Sequence, residues 1–259
     1  MTTDPTCRFS NRVADYVRYR PHYPAAVLDV LRQEAGLRTE HVVVDIGSGT
    51  GFLTELFLAA GHCVLGVEPN AEMRAAGEQY LAKWDNFTSV DGLAEATTLD
   101  AQCADLAVAG QAFHWFRPAE TRVEFQRILR PGGGVALIWN DRQADAAGVF
   151  AAYEKLVQDF RTDNSAEVHR VVLRAEQGPL IQFFSPQIFS RRVIPGLTQE
   201  FDFAGLKGRL LSASYAPKEG HPRHQAMMAE LRQIFDQYQR GGRVRFEHST
   251  EIVFGRLGD

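Results

Sequence analysis

Cysteine, tryptophan and methionine are scarce in this chain of 259 residues, with 3, 3 and 4 of them. Cys7, Cys63 and Cys103 are odd in number and form no Cys-x-x-Cys pair, which argues against a disulfide framework. Free thiols in a reducing, cytoplasmic setting are the expectation. Metal-ligand spacing of His, Cys, Asp and Glu is also missing, so no metal is expected. Positive charge is not in excess: 28 Lys and Arg stand against 32 Asp and Glu, for a net charge of −4. A nucleic-acid partner would need a concentrated basic face, and none is expected. No apolar run reaches the length of a membrane span. Met1 to Arg12 is polar, without the apolar segment of a signal peptide. Repeats and low-complexity tracts are absent. What remains is 45% hydrophobic and 23% charged, enough to bury a full core in one large α/β domain or a core domain with a cap.

The organising stretch is Val42-Val43-Val44-Asp45-Ile46-Gly47-Ser48-Gly49-Thr50-Gly51. Consecutive β-branched residues read as a buried strand. An acid and three alternating glycines follow, and then a helical pattern through Leu53, Leu56, Phe57 and Ala60. Glycine lets the backbone press against a ligand, and the helix beyond presents free N–H groups. Such a turn suits a nucleotide-like ligand at the carboxyl ends of the strands. The dinucleotide fingerprint G-x-G-x-x-G fits poorly, because Phe52 stands where its third glycine belongs, and a P-loop lacks its Lys-Ser/Thr pair. Asp-x-Gly-x-Gly-x-Gly instead resembles motif I of the class I S-adenosylmethionine (SAM) dependent methyltransferases. The resemblance implies that Asp45, Gly47, Ser48, Gly49 and Gly51 approach the amino-acid part of SAM.

Along the chain, Arg8 to Tyr23 is dense in arginine and tyrosine. It reads either as a solvated arm or as an N-terminal lid over residues 1–23. Its Phe…Ala-x-x-Tyr…Arg-Pro-x-Tyr-Pro pattern resembles the cap of the small-molecule branch of the family. Arg20 can take a carboxylate in a fork geometry, and Tyr16 or Tyr19 can face a sulfonium. Cys63 to Glu68 reads as the second strand, and a carboxylate at its end can accept both ribose hydroxyls of a nucleoside, with Pro69 beside it. Asn70 suits a helix N-cap. The family places an apolar residue against adenine one turn later, here Met73. Asp91-Gly92-Leu93-Ala94-Glu95 resembles the family's adenine loop. Leu93 replaces the usual aspartate, so that the Ala94 backbone or Asp91 would read the base.

Asp105 to Gly110 is the fourth strand. It leads into Gln111-Ala112-Phe113-His114-Trp115-Phe116, which resembles a run in type 11 methyltransferases. Gln111 would then lie near the methionine part of SAM, with His114 and Trp115 toward the transferred methyl. His114 is the candidate general base, or else a wall of the pocket. Arg130 to Gly134 is a tight turn before the fifth strand, Val135 to Trp139. Five alternations of strand and helix specify a parallel sheet. Helices are expected over 145–161 and 166–175, within a helical cap insertion at 141–185. A strand over Ile188–Ile194, helices over Phe203–Leu211 and from Pro222 to about Gln239, and a final strand over 243–254 complete the pattern. The family's last strands pair antiparallel, and these fit.

The expected fold is therefore a doubly wound, mostly parallel, seven-stranded Rossmann-like sheet with an antiparallel C-terminal strand, in a single domain over 1–259. The expected activity is methylation of a small molecule, with O-methylation of a carboxylate or hydroxyl favoured. SAM is the donor and S-adenosylhomocysteine the product. Arg20, Arg142 and Ser212-x-Ser214-Tyr215 are candidate acceptor contacts, and the protein is expected as a monomer or homodimer. A NAD-dependent oxidoreductase and a non-catalytic SAM-binding regulator are the rival readings.

Overall fold

The computed structural model describes residues 18–142, 148–162, 178–213 and 215–258. Tyr16, the first 17 positions of the expected lid, the expected helix at 166–175, Ser214 and the side chain of Arg142 lie outside the described residues.

The order of elements is α1 (Ala26–Glu34), β1 (Val42–Ile46), α2 (Phe52–Ala59), β2 (Cys63–Val67), α3 (Ala71–Leu81), β3 (Phe87–Val90), β4 (Ala104–Gly110), a 3₁₀ turn (Phe113–Trp115), α4 (Pro118–Ile128), β5 (Leu129–Arg142), α5 (Val149–Phe160), α6 (Pro179–Phe184), β6 (Phe189–Phe201), α7 (Phe203–Leu211), α8 (His224–Tyr238) and β7 (Val244–Gly255). The strands form one 7-stranded sheet in the order β3-β2-β1-β4-β5-β7-β6. The first five are parallel, and β7 runs antiparallel to both β5 and β6. The sheet is doubly wound: the chain moves outward from β1 to β3, returns to β4, and proceeds to the other edge. The reversal between β1 and β4 opens a crevice at their carboxyl ends.

Burial follows the strand period. Val43, Val108 and Ile138 pack with Leu53 and Phe57 of α2 on one face. Val44, Ile46, Ala107, Leu137 and Trp139 pack with Phe125 and Phe183 on the other. Both faces of β1 are covered, which is why its residues show no polar alternation. In β5 the expected turn at Arg130–Gly134 appears as a bulge: Leu129 pairs with Ala104 and the next pairing joins Leu106 to Gly134. The sixth strand is longer than the expected 188–194. It resumes pairing at Leu197 after a break at Pro195-Gly196 and continues to Phe201.

A third cluster covers the end of the β6–β7 pair. Leu156 and Val157 of α5, Leu206 and Leu210 of α7, and Met227 and Leu231 of α8 pack around Phe201 and Phe246. It draws on both insertions, the one after β5 and the one between β6 and β7. Within the first, α6 turns back, and Leu180, Phe183 and Phe184 join the core of the sheet.

Candidate active site

The glycine turn between β1 and α2 is built by backbone bonds to the neighbouring strand. Gly47 and Ser48 N–H both donate to the Val67 carbonyl, at 2.8 and 3.1 Å. Glu68 then locks the far side: its Oε2 accepts from Gly49 N–H and its Oε1 from Asn70 N–H, each at 2.9 Å. Asn70 caps α3 by accepting from Met73 N–H at 2.9 Å. Gly49 has a φ of +56°, a left-handed conformation that costs other residues about 1–2 kcal/mol. Gly51 answers to packing, because a Cβ there would stand 2.6 Å from Leu81 Cδ1. The third glycine thus seats α2 against α3.

Asp45 is buried at the end of β1. Its Oδ2 accepts from Thr54 Oγ1 at 2.6 Å, and its Oδ1 has no hydrogen-bond partner. Burial, with the nearby Glu68 carboxylate adding to it, pushes the Asp45 carboxyl up to about 7. Burial also raises Glu68, against the two N–H bonds it accepts.

A cavity of about 530 Å³ opens at this turn. Of the sequence candidates, Asp45, Gly47, Ser48, Gly49, Glu68, Pro69, Met73, Leu93, Ala94, Gln111, Arg20 and Trp115 line it. Five other described candidates do not border it. Gly51 packs on Leu81, as above. Asp91 is tied to Arg74 Nη2 at 3.1 Å, and Arg74 also donates to the Glu68 carbonyl at 2.7 Å. Gly92 is pressed on the Thr97 backbone, whose oxygen would lie 2.6 Å from a Cβ. Tyr215 belongs to the edge of the third cluster, and its carbonyl accepts from Thr162 N–H at 2.9 Å. His114 lies beside Trp115, ring centroids 4.9 Å apart, and of the two only Trp115 borders the cavity. The side chain of Arg142 is not among the described ones.

The wall also contains Asn140 and Arg209, which the sequence did not single out, beside the expected Gln111. Asn140, at the carboxyl end of β5, donates from Nδ2 to the His22 and Pro21 carbonyls at 3.2 and 3.4 Å, and its Oδ1 accepts from Thr250 Oγ1 at 2.6 Å. Gln111 sits at φ +56° and donates from Nε2 to the Asn140 carbonyl at 2.9 Å. Arg209 of α7 is 4% exposed and reaches the same space. A polar residue ending the apolar run Val135–Trp139, and an arginine one turn after Leu206 on an apolar helix face, were the available signals.

Residues 19–23 cross the cavity as a strap. Arg20 Nε donates to Ser212 Oγ at 3.3 Å, and Gln199 Nε2 to the Tyr19 carbonyl at 3.3 Å. His22 stacks on Phe52, ring centroids 4.1 Å apart. Phe52 therefore turns toward the strap and leaves the space at the glycines open. Opposite, Leu93 and Ala96 exchange backbone bonds at 3.1 Å, which shapes the loop carrying buried Ala94. Glu95 accepts from Arg117 N–H at 2.8 Å, ahead of α4.

The arrangement offers two buried carboxyls, a turn of glycines without side chains, and the apolar residues Met73, Leu93 and Ala94. It also offers arginines and aromatics. That donor set fits a nucleoside with a charged amino-acid tail, whose ammonium would meet the acceptor that Asp45 leaves open. No helix among the described residues is long and apolar enough to cross a membrane, and no metal-holding cluster of His, Cys, Asp and Glu occurs among them.

Comparison with known proteins agrees. A family model described as "Methyltransferase domain" matches residues 44–137. An uncharacterized methyltransferase of Mycobacterium bovis is 38% identical over 143 residues, 54% of this chain and 54% of that protein. The chain thus spans about half the length of this relative. One from Bacillus cereus is 31% identical over 153 residues, 55% of this chain and 68% of that protein. Among solved structures, a chain from Anaeromyxobacter dehalogenans described as a type II methyltransferase superposes with a TM-score of 0.65 at 22% identity, covering 93% of this chain and 100% of that one. At that identity the likeness speaks for the Rossmann-like fold alone.

Proposed function

The chain belongs to the class I SAM-dependent methyltransferases, with a type 11 methyltransferase domain, and from that premise we propose that it methylates a small-molecule acceptor, on an oxygen of a carboxylate or hydroxyl. One observation carries this reading: a single cavity runs from the glycine turn and Glu68 to Arg20, Trp115 and Arg209. Donor and acceptor ends therefore share one continuous space.

Bound SAM supplies a methyl group on a sulfonium, already activated as a leaving group. The work left to the protein is placement, which holds reactants at near-attack distance. In this reading Glu68 takes the ribose hydroxyls through lone pairs left over from Gly49 and Asn70. Gly47, Ser48 and Gly49 admit the amino-acid tail, and Met73, Leu93 and Ala94 flank the base. Gln111, fixed to the Asn140 carbonyl, forms the floor between donor and acceptor. The strap of residues 19–23 excludes water. Trp115 walls the acceptor, and Arg20 and Arg209 attract an anionic group on it.

A carboxylate acceptor has no proton to lose, so no base is required for its methylation. His114, one residue from the wall, acts in this reading by supporting Trp115. The test is release of S-adenosylhomocysteine from SAM with a panel of carboxylates, phenols and amines. Turnover confined to carboxylates or phenols supports the proposal. Turnover confined to amines overturns its acceptor class, and binding of SAM without turnover of any of them favours the regulatory alternative.

A further inference from the structure

Asp45 is 1% exposed and borders the cavity, yet only one of its carboxyl oxygens is used. Oδ2 holds the Thr54 hydroxyl of α2, while Oδ1 is buried with no hydrogen-bond partner. A buried ionised carboxylate with an open acceptor is costly, and the group escapes by keeping its proton. Its surroundings favour that choice. In β2 the residue opposite Asp45 is Gly66, and in β4 it is Val108, so neither strand brings a charge. The turn brings Glu68, a like charge that opposes ionisation, and Thr54 favours it more weakly than burial opposes it. Farther around the same wall stand Tyr23 and Arg20 of the strap, Arg209 of α7, and Glu95 with Arg117.

We propose that Asp45 is a proton-linked sensor of the cofactor: its carboxyl carries a proton in the free protein and releases it to solvent when the α-ammonium of SAM or of S-adenosylhomocysteine binds. The inference rests on the cavity being the cofactor site. The ammonium is singled out because an open acceptor needs an N–H donor, and a sulfonium has none. One O–H bond of Asp45 breaks, its proton passes to water, and an ammonium N–H turns to Oδ1. No other group changes its covalent state. Since the carboxyl sits at about 7 in the free protein, cofactor affinity is gated across neutral pH. Binding draws on the ionised carboxyl, so it strengthens as pH rises through that value, until the ligand's own α-ammonium begins to lose its proton at about 8.

Titration calorimetry of the full chain in buffers of different ionisation enthalpy tests this. At pH 6, SAM and S-adenosylhomocysteine should each release close to one proton, with the release falling as pH rises through 7 and the dissociation constant rising about tenfold per unit of pH below 7. Methylthioadenosine, which has the nucleoside and neither cation, should release none. Asp45→Asn keeps an acceptor for Thr54 and should abolish the release and flatten the pH profile. Glu68→Gln should bind more weakly and still release the proton, with the release shifted to lower pH because the like charge beside Asp45 is gone. Buffer-independent heats for SAM at pH 6, or equal release by methylthioadenosine, would overturn the proposal. The wild-type buffer series decides even if Asp45→Asn does not fold. Absence of SAM binding at every pH would instead sink the cofactor reading on which it rests.

Discussion

Tyr19 lies across Gly208 of α7 so closely that a Cβ on Gly208 would stand 2.0 Å from Tyr19 Cε2. The glycine makes a seat for the ring inside a helix that would otherwise prefer a side chain. The contact joins the strap to the insertion between β6 and β7, next to the Arg20–Ser212 hydrogen bond. Gly208→Ala favours the helix intrinsically by up to about 1 kcal/mol. It should nevertheless unseat Tyr19, speed hydrogen exchange over residues 19–23, and weaken SAM several-fold. Unchanged exchange in the strap would refute that link.

Glu68 is committed twice to backbone before any ligand arrives. Glu68→Ala removes acceptors from Gly49 and Asn70 as well as from a ribose. SAM affinity should fall by about 1–3 kcal/mol, and the melting temperature of the free protein should fall with it. Equilibrium binding alongside a thermal melt separates the two effects. Affinity equal to wild type would remove the ribose role.

His114 and Trp115 are adjacent in sequence and differ in place. In a 3₁₀ turn successive residues point about 120° apart. Phe113 goes to the core, Trp115 to the cavity, and His114 to neither. For a carboxylate acceptor, His114→Ala should change kcat less than about threefold, and Trp115→Ala should raise the acceptor KM about tenfold or more, the order of a lost aromatic contact. With a hydroxyl acceptor, a kcat collapse in His114→Ala would restore it as a base.

This pair also marks what sequence could and could not supply. The glycine turn, Glu68 at the end of β2 and the parallel strand–helix alternation are legible because each is set by neighbours a few residues apart: the turn glycines, the apolar run ending in an acid, and the alternating periods. The far wall is assembled from Tyr23, Asn140 and Arg209, which meet only once β5, the strap and α7 have packed. Local periodicity has no access to that meeting. Asp91 and Gly92 illustrate the converse. They occupy the position of a recognised loop, yet Arg74 and Thr97 claim them, so a motif position alone did not fix which side chain meets the cavity.

Acid sensitivity should be concentrated at Glu124. Its Oε1 accepts from Thr97 N–H at 2.8 Å and from Arg127 Nη2 at 2.7 Å, and its Oε2 accepts from Arg127 Nε at 2.8 Å. The Arg127 guanidinium, with the Thr97 bonds, pulls its carboxyl from 4.5 down to about 2. A carboxyl with a depressed folded-state pKa stabilises the fold above its unfolded value and loses that contribution as pH falls. The loss should therefore run from about 4.5 down to about 2. Arg127 is partly exposed, so solvent screening limits the effect to about 1–2 kcal/mol. Urea melts of wild type and Glu124→Gln should differ by this amount at pH 6 and converge toward pH 2.

The glycines of the turn should respond differently to the same insult. Gly51 does not border the cavity, and a methyl there meets Leu81 Cδ1 at 2.6 Å. Gly51 is also left-handed, at φ +88°, so Gly51→Ala should lower stability by about 1–3 kcal/mol from repacking against α3 with the backbone strain of about 1–2 kcal/mol on top, and leave SAM affinity nearly unchanged in the folded fraction. Gly49 borders the cavity, and a Cβ there stands 3.2 Å from the flexible end of Met73. The side chain can yield, so the backbone strain of about 1–2 kcal/mol is the chief folding cost for alanine. Gly49→Val adds branches that extend into the space beside Met73 and the Glu68-bound turn, and SAM binding should be lost while a folded protein persists. Calorimetry on both variants, with circular dichroism to count the folded fraction, reads the difference. If Gly51→Ala loses SAM and Gly49→Val retains it, the donor does not lie against this turn.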